Sequence, residues 1–512
     1  MNIEPACPKC GSTNITPGGG VAGSGRIRWR CKACKHRTTN PYQNAEITFE
    51  HPTVPEASSY VITAAQNATP AFKGFLKSLL NYCDHRGAQL LVVPTRYRNP
   101  TSVWAEKDQS DQYWDDAVVP YLCNARESLV DGLMLLGDVN VQPTAPRPLT
   151  GFDTLTGGAS GIIAHPKIEL KCIATTAGEL PKIMTTTGAV TQQNYTHSGA
   201  GKKGEFHHAM GACVVDIEDG RFHIRQLNAT KDGSFYDLNK KYSGNEVKKI
   251  ERIEALFLGD THTDFVDQQV VEATFSGVDS IVGVLKPKYL CWNDLFDAYA
   301  RSHWHQNDPF RSLAKYDGHK DDVEGEMRRA FDFVKTHTPP DTMNIIVPSN
   351  HNHALTKWVR ETDWRKDPAN AAFYLKTALA MVEGTKLDST GTYVPDAWVH
   401  WAHQYLPEAR VLVQDESFQI KGVELGMHGH AGPNGARGSL ANLSKVGVKS
   451  FLGHSHSPGI QDGSVQVGTM SVLKRDYMTG PSNWMHSHGI LYPNGKRALI
   501  NIIDGQTGIR HG

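Results

Sequence analysis

The sequence has no excess of charge of either sign, because 53 Lys and Arg residues balance 53 Asp and Glu residues. A neutral chain has no overall field that would by itself draw it to nucleic acid or to a membrane, so charge has to be assessed region by region. The sequence also lacks an apolar run near the roughly 20 residues that span a bilayer, and its N-terminus lacks the apolar stretch of a signal peptide. We therefore expect a soluble, cytoplasmic protein without a membrane-spanning segment.

Cysteine is scarce, with nine residues in 512, which fits a protein made in a reducing cytosol. A chain of this length can form two or more domains with sizeable cores. Four of the cysteines, Cys7, Cys10, Cys31 and Cys34, form two C-x2-C pairs separated by 20 residues. This spacing is typical of a zinc ribbon, in which two tight turns present four thiolates to one Zn²⁺. We predict a structural zinc site in a ribbon over residues 1–37.

The predicted ribbon is basic, although the whole chain is neutral. Seven Lys and Arg residues lie between positions 1 and 37, against the single acid Glu4. Alternate arginines on one strand can contact phosphates while a tryptophan between them stacks or packs. The residues predicted to bind nucleic acid, with DNA as the expected partner, are Arg26, Arg28, Trp29, Arg30 and Lys32. The alternative is a solvated ribbon that docks onto a protein.

Residues 38 to 250 contain a linker and then a mixed α/β domain. Three prolines and many polar residues between 38 and 59 are typical of a linker. Beyond it, apolar runs at 60–63 and 90–94 flank a segment with helical spacing at 71–85, which predicts a β-α-β unit. Shorter alternating runs follow, such as 168–173 and 213–217. We therefore predict a mixed α/β domain with a substantial β portion over residues 60–250.

A metal-binding pattern begins at Gly259-Asp260-Thr261-His262, directly after the apolar run at 253–258. A buried strand that ends in glycine, followed by an acid and a histidine two residues apart, presents two metal ligands at the rim of a sheet. Asp-x-His alone is a weak signal, because the aspartate could instead cap the next helix. Further loops later in the chain strengthen the metal-binding interpretation.

Four further apolar runs, at 289–292, 344–348, 420–425 and 448–452, end in loops that carry Asp, Asn or His. These loops contain Asn293-Asp294-Leu295-Phe296-Asp297, Ser349-Asn350-His351, His428-Gly429-His430 and Gly453-His454-Ser455-His456. In an open α/β sheet the strand ends share one edge, so the loops can converge on one crevice. Carboxylate, imidazole and amide ligands without cysteine suit manganese, iron or zinc, and a pair of such ions can activate water against a phosphoester. The pattern therefore predicts a metal-dependent hydrolase of phosphate esters.

From about residue 250 to 490, the order D-x-H, N-D-x-x-D, N-H, H-x-H and G-H-x-H resembles the signature of the calcineurin-like metallophosphoesterases. The resemblance implies an αββα sandwich over residues 251–512, preceded by the mixed α/β domain and the ribbon. It implies two divalent ions, for which we expect manganese with iron or zinc as alternatives, and Asp294 would bridge them. Matched one by one, the implied ligands are Asp260, His262, Asp294, Asn350, His428, His454 and His456. His351 matches the family histidine that helps to bind the phosphate and protonates the leaving group.

Three positions near the implied site need separate comment. His430 lies two residues beyond His428, and a shift of register would exchange them as ligands. Asn352 stands where the family usually has an acid beside its catalytic histidine. Arg437, in the glycine-rich loop at 432–438, could offset phosphate charge as a substrate contact.

The whole arrangement resembles the early DNA-transfer proteins of T5-like phages: a basic ribbon, a domain with the segments 96–102 and 185–191, and the metal motifs. That resemblance implies a role in the takeover of an infected bacterium, through degradation of host DNA or control of DNA entry, in the host cytoplasm. We expect a manganese-dependent DNA nuclease. The alternatives are a phosphatase acting on nucleotides or phosphoproteins, and a non-catalytic DNA-binding regulator on the same scaffold. Besides DNA, a second copy of the chain or a phage or host protein is an expected partner.

Overall fold

A computed structural model describes residues 5–7, 9–21, 27–38, 53–97, 114–176, 178–302, 305, 308–384, 396–475 and 478–509. Arg26 and most of the predicted linker lie outside these residues. The chain divides into two compact units, Met1–Leu170 with Ile183–Lys248, and Lys171–Lys182 with Lys249–Gly512. Among the helices of the described residues, none has both the length and the apolar surface needed to cross a bilayer.

The N-terminal part of the first unit is a three-stranded antiparallel sheet, made of β1 (Ile15–Val21), β2 (Ile27–Cys31) and β3 (Arg37–Thr38). Successive side chains of a strand point to opposite faces. Trp29 accordingly packs against a small core of Cys7, Ile15 and Cys31, while Arg28 and Arg30 are exposed. The tryptophan of the predicted basic strand therefore packs inside the ribbon, and the two arginines remain available on its surface.

The rest of the first unit is mixed α/β, as predicted. The β-α-β opening consists of β4 (Ser59–Gln66), α1 (Lys73–Arg86) and β5 (Gln89–Thr95), and β4 pairs parallel to β5. The elements that follow along the chain are β6 (Arg126–Val130), β7 (Leu133–Leu136), β8 (Ser160–Ile163), β9 (Leu170–Ile173), β10 (Lys182–Thr186), α2 (Gly199–His207), β11 (Gly211–Glu218), β12 (Arg221–Asn228), β13 (Phe235–Asp237), β14 (Lys240–Ser243) and β15 (Glu246–Lys249). Of these, β9 belongs to the second unit from Lys171 onward. The sheet in the order β12-β11-β4-β5 buries its apolar face against α1 through residues such as Phe75 and Leu79.

The second unit contains a six-stranded sheet in the order β19-β18-β17-β16-β25-β26. Its strands are β16 (Ala255–Phe257), β17 (Tyr289–Trp292), β18 (Met343–Ile346), β19 (Arg410–Val411), β25 (Ser487–Leu491) and β26 (Arg497–Asn501). The first four pair in parallel, and β25 and β26 are antiparallel. Strands β16 and β17 are buried almost throughout, which explains their continuous apolar sequence.

Five further strands of this unit run in the order β20-β21-β22-β24-β23. They are β20 (Gln419–Ile420), β21 (Val423–Glu424), β22 (Lys449–Leu452), β23 (Gly459–Gln461) and β24 (Ser464–Gln466). Phe257 of β16 stacks on Phe451 of β22 with ring centroids 5.3 Å apart, so the two sets of strands share an apolar interior. The expectation that all five motif-bearing strands share one open sheet is therefore wrong, because β21 and β22 lie in a different sheet from β16, β17 and β18.

Helices fill the connections between these strands. They are α3 (Gln268–Phe275), α4 (Ile281–Leu285), α5 (Pro309–Asp317), α6 (Val323–His337), α7 (Asn350–Glu361), α8 (Ala371–Gly384), α9 (Ala397–Tyr405) and α10 (Leu440–Leu443). Most of them begin at a capping residue, and Ser349 caps α7 by accepting a hydrogen bond from the Asn352 N–H. This cap fixes the first turn of α7, which carries the predicted catalytic histidine.

Candidate metal centre

The loops after β16, β17, β21 and β22 bring together residues that are distant in sequence. Backbone hydrogen bonds fix the first two loops to each other, from the N–H of Thr261 to the Asn293 carbonyl and from the N–H of His262 to the Asp294 carbonyl. A Cβ at Gly453 would collide with the Asp260 carboxylate. This close approach explains the glycine that begins the G-H-x-H motif.

Four side chains form the first candidate metal-binding group, Asp260, His262, Asp294 and His456, whose ligand atoms all lie within 4.8 Å of one another. The Nε2 atoms of His262 and His456 are 3.0 Å apart, and His456 Nε2 is 3.1 Å from Asp260 Oδ2. All four side chains are at most 7% exposed. Two imidazoles and two carboxylates that converge in this way offer a ligand set suited to manganese, iron or zinc.

His428 and His454 extend this group on the Asp294 side. His428 Nε2 lies 3.1 Å from Asp294 Oδ2, and the ring centroids of His428 and His454 are 5.5 Å apart. The second N of His428, Nδ1, is 3.3 Å from the side-chain oxygen of Asn293, which orients the ring. Asp294 thus contacts histidines on both sides, as a carboxylate shared by two ions would.

The polar atoms of the cluster fit a cation. Both carboxylate oxygens of Asp260, Oδ1 of Asp294 and Nε2 of His428 are buried, and none forms a hydrogen bond of good geometry, although imidazole nitrogens approach both carboxylates to 3.1 Å. Buried carboxylates without donors are costly unless a positive charge compensates them. Burial opposes ionisation of Asp294, yet His428 and His351 hold its pKa well below the ordinary value. An ionised, buried and unsatisfied carboxylate is the donor that a divalent ion requires.

The neighbouring imidazole of His454 is suited to the same purpose. Burial lowers the pKa of His454 to about 4, and His428 acts in the same direction. The imidazole of His454 is therefore neutral near pH 7 and keeps a lone pair for a metal.

The backbone at this site is strained. His262, Asp294, His454 and His456 have φ angles of 49°, 42°, 71° and 60°, in the left-handed region. Each such residue other than glycine costs about 1–3 kcal/mol and is found mostly where function requires the geometry. Four left-handed residues among the predicted ligands indicate that the loops are shaped to direct these side chains inward.

Asp297 connects the metal-binding group to the predicted acid. Its Oδ1 is 3.1 Å from His262 Nδ1 and its Oδ2 accepts a 2.9 Å hydrogen bond from Arg475. The backbone carbonyl of Asp297 lies 2.9 Å from His351 Nδ1. Burial opposes ionisation of Asp297, but His262 and Arg475 hold the pKa of this carboxyl below its ordinary value. Asp297 therefore fixes the orientation of one candidate ligand and of the predicted acid together.

His351 itself differs in exposure from the metal-binding group, since 32% of its side chain is open to solvent. The adjacent Asn352 is buried and donates from Nδ2 to the Val347 carbonyl, so it holds the start of α7 and not the His351 ring. Asn352 therefore has a structural role here, and Asp297 contacts the His351 ring.

Three further residues from the sequence analysis are Asn350, Arg437 and His430. Asn350 is exposed at the start of α7, and Arg437 is exposed in the loop after His430. His430 is half-buried, with its ring centroid 5.6 Å from that of His428. Because His428 contacts Asp294 and Asp260, the geometry favours it over His430 as the ligand.

The predicted zinc ligands also meet in space. Cys7, Cys10, Cys31 and Cys34 form a second metal-binding group, with sulfur atoms 3.5 Å apart between Cys7 and Cys34 and 3.7 Å apart between Cys10 and Cys31. The Cys34 N–H, 3.5 Å from Cys31 Sγ, lowers the pKa of the Cys31 thiol to about 6. Arg28, Arg30 and Lys32 are exposed near this group.

Sequence analysis did not assign roles to Asp297, Asn293 and Arg475. Asp297 and Asn293 belong to the N-D-x-x-D motif, so their spacing offered a signal. Arg475 had none, because its partner Asp297 is 178 residues away.

Comparison with known proteins gives one informative result. No family model matches the chain, and no solved structure matches it at a significant level. The chain is similar to "Protein A1" of Escherichia phage T5, with 32% identity over 471 residues that cover 90% of this chain and 84% of that protein. Identity at this level over nearly the whole length is not confined to one motif or domain. The chain belongs to the family of the phage T5 Protein A1.

Proposed function

We propose that this protein is a two-metal phosphodiesterase, a manganese-dependent DNA nuclease of the calcineurin-like metallophosphoesterase type. The observation that carries the proposal is the buried group of Asp260, His262, Asp294 and His456, with His428 on the far side of Asp294. Both oxygens of Asp260 and Oδ1 of Asp294 form no hydrogen bond, and the Nε2 atoms of His262 and His456 are 3.0 Å apart. The phosphoesterase type is supported by the order and spacing of the motifs that carry these residues.

A bound pair of divalent ions would supply positive charge to the scissile phosphate and activate a water for attack. Asp260, His262 and His456 would hold one ion, Asp294 would bridge, and His428, His454 and Asn350 would hold the other. The remaining chemistry falls to the chain itself. His351, held at Nδ1 by the Asp297 carbonyl, has Nε2 left to protonate the leaving oxygen. Its exposure of 32% allows substrate to reach that nitrogen.

Two observations support DNA as the substrate. Arg28, Arg30 and Lys32 place three exposed positive charges on the ribbon, where phosphates can reach them. The similarity to a phage protein supports a role during infection. We propose that this role is degradation of host DNA or DNA transfer.

The test is cleavage of plasmid and linear DNA by the purified full-length protein in Mn²⁺, in Mg²⁺ and in chelator. We expect manganese-dependent cleavage that the chelator abolishes and that His351→Ala lowers by about 10²–10⁴-fold, the usual contribution of a general acid. His353→Ala is the matched control, because His353 is exposed two residues further along α7. Cleavage that persists in chelator would refute the metal mechanism. Hydrolysis of phosphate monoesters in preference to diesters would instead indicate a phosphatase.

A further inference from the structure

Trp484 lies directly beside the candidate metal centre, although no motif led to it. Its ring contacts the imidazole of His456 with centroids 4.0 Å apart and planes inclined at 66°. Trp114, Trp292 and Trp398 are at most 2% exposed and belong to the core, whereas Trp484 is only half-buried. Trp484 therefore touches a candidate metal ligand and is, as a residue, partly exposed to solvent.

The chain holds Trp484 firmly in this position. The next residue, Met485, is buried and its N–H donates a 3.0 Å hydrogen bond to the His456 carbonyl. On the other side, Ser482 exchanges two 3.0 Å backbone hydrogen bonds with Thr175. The Ser482 hydroxyl also accepts a hydrogen bond from the backbone N–H of Trp484. A half-exposed aromatic ring fixed at both ends is a prepared flat surface and loses little freedom when a ligand stacks on it.

We propose that Trp484 forms a nucleobase-binding subsite, on which the base of a nucleotide next to the scissile phosphate stacks. The inference rests on the proposed phosphodiesterase activity and specifies its substrate class, a diester that carries a nucleobase beside the reacting phosphate. A phosphate bound by the ions that this group would hold would leave its nucleoside over the adjacent surface, and Trp484 lies beside the group through its contact with His456. Stacking accepts any base, since every base has a π face, so the subsite binds DNA without selecting a sequence.

The kinetic test compares three diesters with one leaving group: thymidine 5′-(p-nitrophenyl phosphate), the same ester with 1,2-dideoxyribose and no base, and methyl p-nitrophenyl phosphate. We expect the wild-type protein in Mn²⁺ to prefer the thymidine ester over the base-free ester by about tenfold in kcat/KM, within the range of base stacking on aromatic residues. Trp484→Ala should lose this preference and keep its kcat/KM for the methyl ester within about twofold. Trp484→Phe, which retains an aromatic face, should keep most of the preference.

A binding measurement without metal separates stacking from any effect on the metal centre. Fluorescence anisotropy in chelator compares a thymidine pentanucleotide with a pentamer of abasic units, for the wild-type protein and for Trp484→Ala. The ribbon is the same in both proteins, so its contribution cancels in the comparison. We expect Trp484→Ala to weaken binding of the thymidine pentamer and to leave the abasic pentamer unaffected. Trp364→Ala, which removes a partly exposed tryptophan between α7 and α8, is the control and should change neither.

The outcomes distinguish the subsite from the function on which it rests. Loss of activity on all three esters to the same degree in Trp484→Ala would overturn the subsite and assign the tryptophan to support of His456. A wild-type protein that hydrolyses the esters without regard to the base would also overturn it, while leaving the phosphodiesterase intact. A wild-type protein that hydrolyses none of them would refute the proposed function, and the subsite with it.

Discussion

Replacement of Asp297 by asparagine should weaken metal binding although Asp297 is not itself a proposed ligand. Asp297 accepts hydrogen bonds from His262 Nδ1 at 3.1 Å and from Arg475 at 2.9 Å, and both its side chain and that of Arg475 are at most 6% exposed. An asparagine has almost the same shape but no charge, so the histidine loses the carboxylate that fixes its tautomer. Changes to such supporting residues typically lower metal affinity or activity by about 10–100-fold.

The same substitution should also destabilise the fold. Removing one charge of a buried ion pair typically costs about 3–5 kcal/mol, and we expect about 3 kcal/mol here because the amide oxygen can still accept a hydrogen bond from Arg475. Isothermal titration with Mn²⁺ and urea unfolding of the metal-free protein measure the two effects separately. Glu324→Gln is the control, because it breaks the exposed Arg328 pair on α6 and should cost only about 0.3–0.5 kcal/mol. Wild-type manganese affinity in Asp297→Asn would refute the role assigned to Asp297.

Two further predictions concern the ribbon and α6. Removal of residues 1–37 should weaken DNA binding, measured by anisotropy at fixed salt, and leave hydrolysis of a small diester intact; loss of both would assign the ribbon a structural role. Burial, with Asp297 nearby, raises the pKa of Glu326 to about 8, although it accepts hydrogen bonds from the N–H groups of Tyr299 and Ala300. Between roughly pH 4.5 and 8, Glu326 is protonated in the folded state and ionised in the unfolded chain. Its contribution should therefore lower the free energy of unfolding by about 1.4 kcal/mol for each unit by which the pH rises. Glu326→Gln should remove that slope in urea unfolding at pH 5 and pH 8, and an unchanged slope would show that Glu326 ionises normally.

The sequence allowed prediction of those parts of the site that lie at the ends of strands. The run at 289–292 predicted β17 with the bounds that the structure has, because a fully buried parallel strand leaves a continuous apolar signal. The same motifs contain the four residues that the structure brings together as a candidate metal-binding group, Asp260, His262, Asp294 and His456. The four ribbon cysteines were predictable for a similar reason, because their spacing alone fixes two tight turns.

Other features depend on contacts that sequence separation hides. The apolar run at 420–425 suggested one strand, but the chain turns at Lys421 and Gly422, with φ angles of 52° and 71°, and forms the β20–β21 hairpin. Two successive residues with positive φ are typical of a tight hairpin turn, and glycine at the second position was the available signal. The Arg475–Asp297 pair and the Trp484–His456 contact had no such signal, since each depends on how distant loops meet.

The most direct test of the central claim is the number of manganese ions that the protein binds. The starting sample retains the ribbon zinc but has no metal at the Asp260 group. Equilibrium dialysis followed by elemental analysis should find two Mn²⁺ per wild-type chain. Asp294→Ala removes the carboxylate that we propose both ions share, so it should abolish binding of the pair and hydrolysis together. Full manganese binding and turnover in Asp294→Ala, or no manganese binding by the wild-type protein, would contradict the account.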